Sequence, residues 1–167
     1  GLEQGTLPIL GFNLSANNRA RVWQTFKLSL LISELSLLAG TVAVNWFLPS
    51  ILTLFSAGPG LRATAAPALR IISMAFPLFC PTILIPTLLQ AAGRLKQSSA
   101  VVILRQVVLL VPLAIFLSRW GLLYTWLTFP ISEAVAALFC AGLLWQYARQ
   151  ECRSALPEAA FQAETSE

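Results

Sequence analysis

The residues able to do chemistry are few and isolated. Glu34, Arg70, Arg105 and Glu133 each stand alone in long apolar surroundings, and the remaining charges fall near segment ends or in the tail. There is no His, and the seven acidic residues include Glu3, Glu158, Glu164 and Glu167, in the first residues or the tail. Acid–base catalysis and metal binding both need several such groups converging on one point. With no nucleophile and base pair in view, the chain is not expected to be an enzyme, to hold a metal or to need a cofactor. Cys80, Cys140 and Cys152 are too widely spaced for a metal knuckle or a disulfide framework and read as small apolar packing residues. The eleven basic residues are scattered singly rather than gathered into a stripe, which argues against a nucleic-acid partner.

What an isolated charge can do depends on its solvent, and here the solvent is lipid. The chain is 57% hydrophobic and 11% charged, where a soluble domain carries about 25% charged residues. Charge-free gaps, interrupted only by the isolated residues named above, each have room for a helix of the ~20 residues that cross a bilayer. The gaps predict four spans, at about 24–48, 68–91, 98–117 and 122–148. Residues 1–22 read as the end of a preceding helix followed by a cytoplasmic loop, and residues 149–167 as a polar, disordered cytoplasmic tail. Continuous apolar runs exclude barrel strands, whose residues alternate, so the fold class is an all-α polytopic transmembrane bundle. All five Trp and both Tyr fall near span ends, where amphipathic rings favour the membrane interface.

Loop charge sets an orientation. Arg19, Arg21, Lys27, Arg94, Lys96, Arg149 and Arg153 share one side, against Arg62 and Arg119 on the other. The positive-inside rule puts the first side in the cytoplasm, with both ends of the fragment there, in the plasma (inner) membrane. Within this frame the isolated charges become candidates, because an ionisable group at membrane depth costs several kcal/mol unless it is paired or hydrated. Glu34 and Arg105 each lie about 10 Å in from the cytoplasmic end of their helices, at ~1.5 Å of rise per residue, a depth that permits an ion pair. The plainer alternative is that such a pair is structural. Arg70 is explained by snorkelling to the outer interface. Glu133, about 22 Å from the inner end of its helix, has no evident partner at that depth. Pro77, Pro81, Pro86, Pro112 and Pro130 each remove a backbone hydrogen bond and favour kinks, which suits helices bent around a polar cavity.

Five stretches in order resemble the multidrug and toxic compound extrusion (MATE) transporters. The run from Gly5 to Val22 is similar to the family's Q-P-I-x-G-Y-N-Y-G-A-x-N-x-x-R-V. Ala68–Pro77, Leu89–Gly93, Leu104–Gln106 with Pro112, and Phe129–Glu133 follow. The resemblance implies helices nine to twelve of a twelve-helix, two-lobed antiporter. Such a protein would export organic cations or other amphipathic compounds in exchange for protons or sodium ions. Its partners would be the lipid bilayer, small-molecule substrates and the missing N-terminal lobe. The family's Y-N-Y-G-A reads Phe12-Asn13-Leu14-Ser15-Ala16 here, so the loop geometry is expected to differ where the glycine is lost. The second span, at about 68–91, lacks the carboxylate that one branch of the family uses for a cation, leaving Glu34, Arg105 and Glu133 as coupling candidates by depth. The start at Gly1 rather than Met reads as a cut. A complete small four-helix oligomeric transporter, and a non-transporting scaffold or degenerate fragment, are the alternatives.

Overall fold

The computed structural model describes residues 1–56 and 58–164, with the side chains of residues 1–56 and 58–151. Three helices are long and apolar enough to cross a membrane, at Arg19–Leu54, Leu95–Ser118 and Leu122–Glu151. A bent pair, Pro59–Met74 and Phe76–Ala91, whose axes differ by 43°, is long and apolar enough for a fourth when the two are taken as one broken span. In chain order the helices are α1 (Leu2–Ser15), α2 (Arg19–Leu54), α3 (Pro59–Met74), α4 (Phe76–Ala91) and α5 (Leu95–Ile103). A π-helical turn at Leu104–Leu109 continues α5 into α6 (Leu110–Ser118), followed by α7 (Leu122–Trp126) and α8 (Thr128–Glu164).

With the bent pair counted as one, the apolar helices follow the expected order of four segments, with three differences. The second span starts at Pro59, well before Ala68, because Pro59 opens a helix without loss of a needed donor. The third and fourth spans are interrupted, by the π turn and by the break at Leu127 respectively. The last helix continues to Glu164, where the sequence predicts order ending at Arg149; the Ala- and Glu-rich stretch after Ser154 has high helix propensity. Arg153, Glu158 and Glu164 lie beyond the described side chains, and Glu167 lies outside the described residues.

Tight turns close the Arg-rich end of the bundle. α4 ends in a Schellman motif: the Arg94 N–H donates to the Leu89 carbonyl (2.8 Å) and the Gly93 N–H to Gln90 (3.0 Å), with Gly93 at φ +74°. α1 ends the same way, with Asn18 N–H on Asn13 (2.9 Å) and Asn17 on Leu14 (3.0 Å). There Asn17 takes the left-handed conformation at φ +51°. Ser15 is still helical and donates to the Gly11 carbonyl, so the glycine lost from the resembling motif is not needed for this turn.

α4 is the central element. Its side chains Cys80, Leu84, Ile85, Leu88 and Leu89 are all buried, and it packs against α1, α2, α5 and α8. Leu10 of α1, Val22 and Phe26 of α2, Val101 of α5 and Cys140 of α8 close the same apolar cluster. The outer faces are apolar too, with Leu28, Leu31, Leu35, Leu38 and Val42 exposed along α2, as lipid contact requires. Trp46, Trp120, Tyr124 and Trp145 are exposed toward the ends of the apolar spans, as interface rings are expected to be.

Candidate functional site

α4, the π turn and α8 bring Thr82, Arg105 and Glu133 together in the interior. The Thr82 hydroxyl donates to Glu133 Oε2 at 2.9 Å and accepts from Arg105 Nη1 at 3.1 Å. The direct Arg105 Nη1 to Glu133 Oε2 approach is 3.5 Å, the long limit of a hydrogen bond, so the hydroxyl carries the closer contact. Glu133 is 4% exposed and Thr82 3%, while the Arg105 side chain keeps 19%. A carboxylate this deep is tolerated because a guanidinium and a hydroxyl both serve it.

Local backbone irregularity positions each member. Arg105 lies in the π turn, a form of helix concentrated at functional sites, and Pro112 follows three residues after that turn. The turn re-aims the side chains around Arg105 relative to a regular 3.6-residue repeat. Pro81 and Pro86 flank Thr82, yet α4 runs unbroken from Phe76 to Ala91; of the expected kink prolines in that span, only Pro77 stands at a break. Pro130 opens α8 two residues after Thr128, just past the break at Leu127. Thr128 Oγ1 and Trp126 Nε1, at that break, are buried with no protein partner.

The expected pairing of Glu34 with Arg105 is corrected. The Leu95–Ser118 span packs on α4 and α8 and, among the described residues, makes no helix contact with α2, so equal depth does not bring the two side chains together. Glu133, expected to lack a partner, is the residue Arg105 meets. Glu34 is half-buried beside the Cys80 thiol, which donates to the Leu30 carbonyl at 3.4 Å. A cavity of about 310 Å³ opens next to it, lined by Ser33, Ser36, Cys80 and Leu84 among others. Cys80 and Cys140 are buried free thiols, in keeping with their reading as packing residues. Thr82 was missed by sequence reasoning. A membrane-helix Thr usually satisfies itself on its own backbone, and only its place between two prolines marks it out.

A second polar cluster ties the Arg-rich end. Arg19 Nε lies 3.3 Å from Glu151 Oε2, and Arg19 Nη1 donates to the Glu151 carbonyl at 3.0 Å. Arg94 stacks over the Tyr147 ring at 4.9 Å, and Trp23 packs against the same ring. The start of α2, the α4–α5 turn and the end of α8 are thereby held in one place.

The MatE family profile matches residues 1–116, more than half of the chain. The chain belongs to the MatE family. Its fold is shared with an inward-facing and an outward-facing multidrug resistance MATE family transporter of the MOP superfamily. The TM-scores are 0.77 and 0.78, at 20% and 21% identity. A MATE crystallised in complex with MaL6 matches at TM-score 0.79 and 21% identity. Each alignment covers 90% of this chain, which spans about a third, 34–35%, of the length of those relatives. No curated protein shows a significant sequence match. Members of the MatE family are transporters rather than enzymes, and this MatE chain is a multi-pass membrane bundle of the same fold. Glu133 lies beyond the residues the family profile matches, whereas Thr82 and Arg105 lie within them.

Proposed function

We propose that this chain forms the last third of a secondary active multidrug exporter. It would expel organic cations or other amphipathic compounds in exchange for protons or sodium ions, with Arg105, Thr82 and Glu133 as a charge-sensing element. Membership of the MatE family supports the transporter reading, and coverage of about a third of the solved relatives supports a missing first lobe as its partner. The observation that carries the role of the site is a carboxylate 4% exposed at membrane depth, held by one arginine and one hydroxyl on three different helices. Any change in its charge alters the attraction among all three helices at once. Glu34, beside the 310 Å³ cavity, is a second coupling candidate.

The relatives named inward-facing and outward-facing match this chain equally, at 0.77 and 0.78. That supports four helices moving as one block against the absent lobe, in the manner of alternating access. The excess of basic residues on the side of Arg19, Arg94 and Arg149 supports an inner-membrane orientation with both ends of this segment cytoplasmic.

The test uses the full-length protein in proteoliposomes loaded with a fluorescent lipophilic cation. Export driven by an imposed proton or sodium gradient, and lost when that gradient is collapsed, supports the proposal and identifies the ion. Export independent of both gradients, or none in protein that is folded, contradicts it.

A further inference from the structure

The bend between α3 and α4 is held from outside by α2. Pro77 has no N–H to return to the carbonyl four residues earlier, that of Ser73. A backbone N–H at the α3 cap turns to that carbonyl instead, and the Thr41 hydroxyl of α2 adds a second donor at 3.1 Å. Its single proton is shared with the Leu37 carbonyl of its own helix at 3.0 Å. One turn further along α2, the two amide hydrogens of Asn45 go to the Thr41 carbonyl (2.8 Å) and to Ser73 Oγ (2.9 Å). Ser73 Oγ in turn donates to the Arg70 carbonyl at 2.9 Å, and the Ser73 residue is 1% exposed. Every proton in this cluster has an acceptor, so the cluster is a closed clamp around the last turn of α3.

We propose that Thr41 and Asn45 are positioning residues that fix the 43° bend at residues 74–76 and, through it, set Thr82 against Arg105 and Glu133. Thr82 lies six residues beyond Phe76, the first residue of α4, on the same uninterrupted helix, so a change in bend is carried to its hydroxyl by a rigid element. Helix breaks survive in membranes where neighbouring groups serve the freed backbone, and here Thr41 reinforces the cap from α2. The second half of the proposal rests on the charge-sensing reading of Glu133.

The experiment places spin labels in the full-length protein at Leu61 and Leu95. Both are exposed and flank the bend, Leu61 in the first turn of α3 and Leu95 just past the end of α4; the native cysteines are replaced by alanine. The distance distribution and the pH profile of export are read together for Thr41→Val, Thr41→Ser, Ser73→Ala and Glu133→Gln. Thr41→Val is expected to broaden the distribution and shift the pH profile, with Thr41→Ser restoring both; Ser73→Ala, which removes the anchor of Asn45, broadens the distribution by an independent route. Unchanged distributions in both Thr41→Val and Ser73→Ala overturn the clamp. A broadened distribution with an unmoved pH profile, while Glu133→Gln moves that profile, overturns the positioning of Thr82. If Glu133→Gln does not move the profile either, it is the charge-sensing reading that has failed, and the distances alone decide the clamp.

Discussion

Thr82 stands between Arg105 and Glu133, its hydroxyl 3.1 Å from the guanidinium and 2.9 Å from the carboxylate, while the two charges themselves are 3.5 Å apart. The hydroxyl can also turn to its own helix, since the Phe79 and Leu78 carbonyls lie at 3.1 and 3.3 Å. Neutralising Glu133 would therefore release Thr82 without leaving its proton unsatisfied. Such a group can change partners at little cost, which suits an element that must respond to charge.

Arg105 and Glu133 are expected to be strongly coupled. Removing one partner of a buried pair leaves the other uncompensated, at about 3–5 kcal/mol, an upper range here because Arg105 keeps some exposure. Arg105→Gln and Glu133→Gln should each lower the thermal midpoint in detergent. The double variant should fall short of their sum by ~0.5–3 kcal/mol; strict additivity would dissolve the pair.

Thr82→Val keeps the shape and removes the bridge. It should destabilise by about 1–3 kcal/mol, the usual consequence of stranding buried polar groups. Thr82→Ser should retain most of the stability. A Thr82→Val midpoint at or above that of Thr82→Ser would remove the hydroxyl from this role.

Glu34 is expected to act independently of Arg105, because α2 and the Leu95–Ser118 span do not touch among the described residues. Glu34→Gln and Arg105→Gln should add within about 0.5 kcal/mol in the same unfolding assay. A larger coupling would restore the pairing that equal depth suggested.

Gly121 adopts φ 120° and ψ 167°, a region essentially closed to other residues. Gly121→Ala should cost about 1–3 kcal/mol. Gly142→Ala, in the middle of α8 with open space at the added methyl, should instead be neutral or stabilising by up to ~1 kcal/mol. Matching effects at the two sites would contradict the backbone account.

The bundle itself was legible in the sequence because lipid imposes a simple rule: long apolar runs, charges at their ends and Trp at the interfaces. Pro77 at the major bend was legible for the same reason, being a local property of the chain. The partner of Arg105 was not. Depth counted along separate helices fixes height but not azimuth, and only packing reveals that Arg105 faces α8 rather than α2. Thr82 and Thr41 were hidden because a helical Thr that bonds its own backbone looks the same in sequence as one that reaches a neighbour. The continuation of α8 beyond Arg149 was masked by its polarity, which hydropathy reads as the end of a span although Ala and Glu favour helix.

The pH profile of export by the full-length protein, compared with its Glu133→Gln variant at matched expression, bears most directly on the central claim. A carboxylate that senses charge should give export that varies with pH in the native protein and a flattened profile in the variant. Superimposable profiles would show that the buried pair is structural and remove Glu133 from coupling.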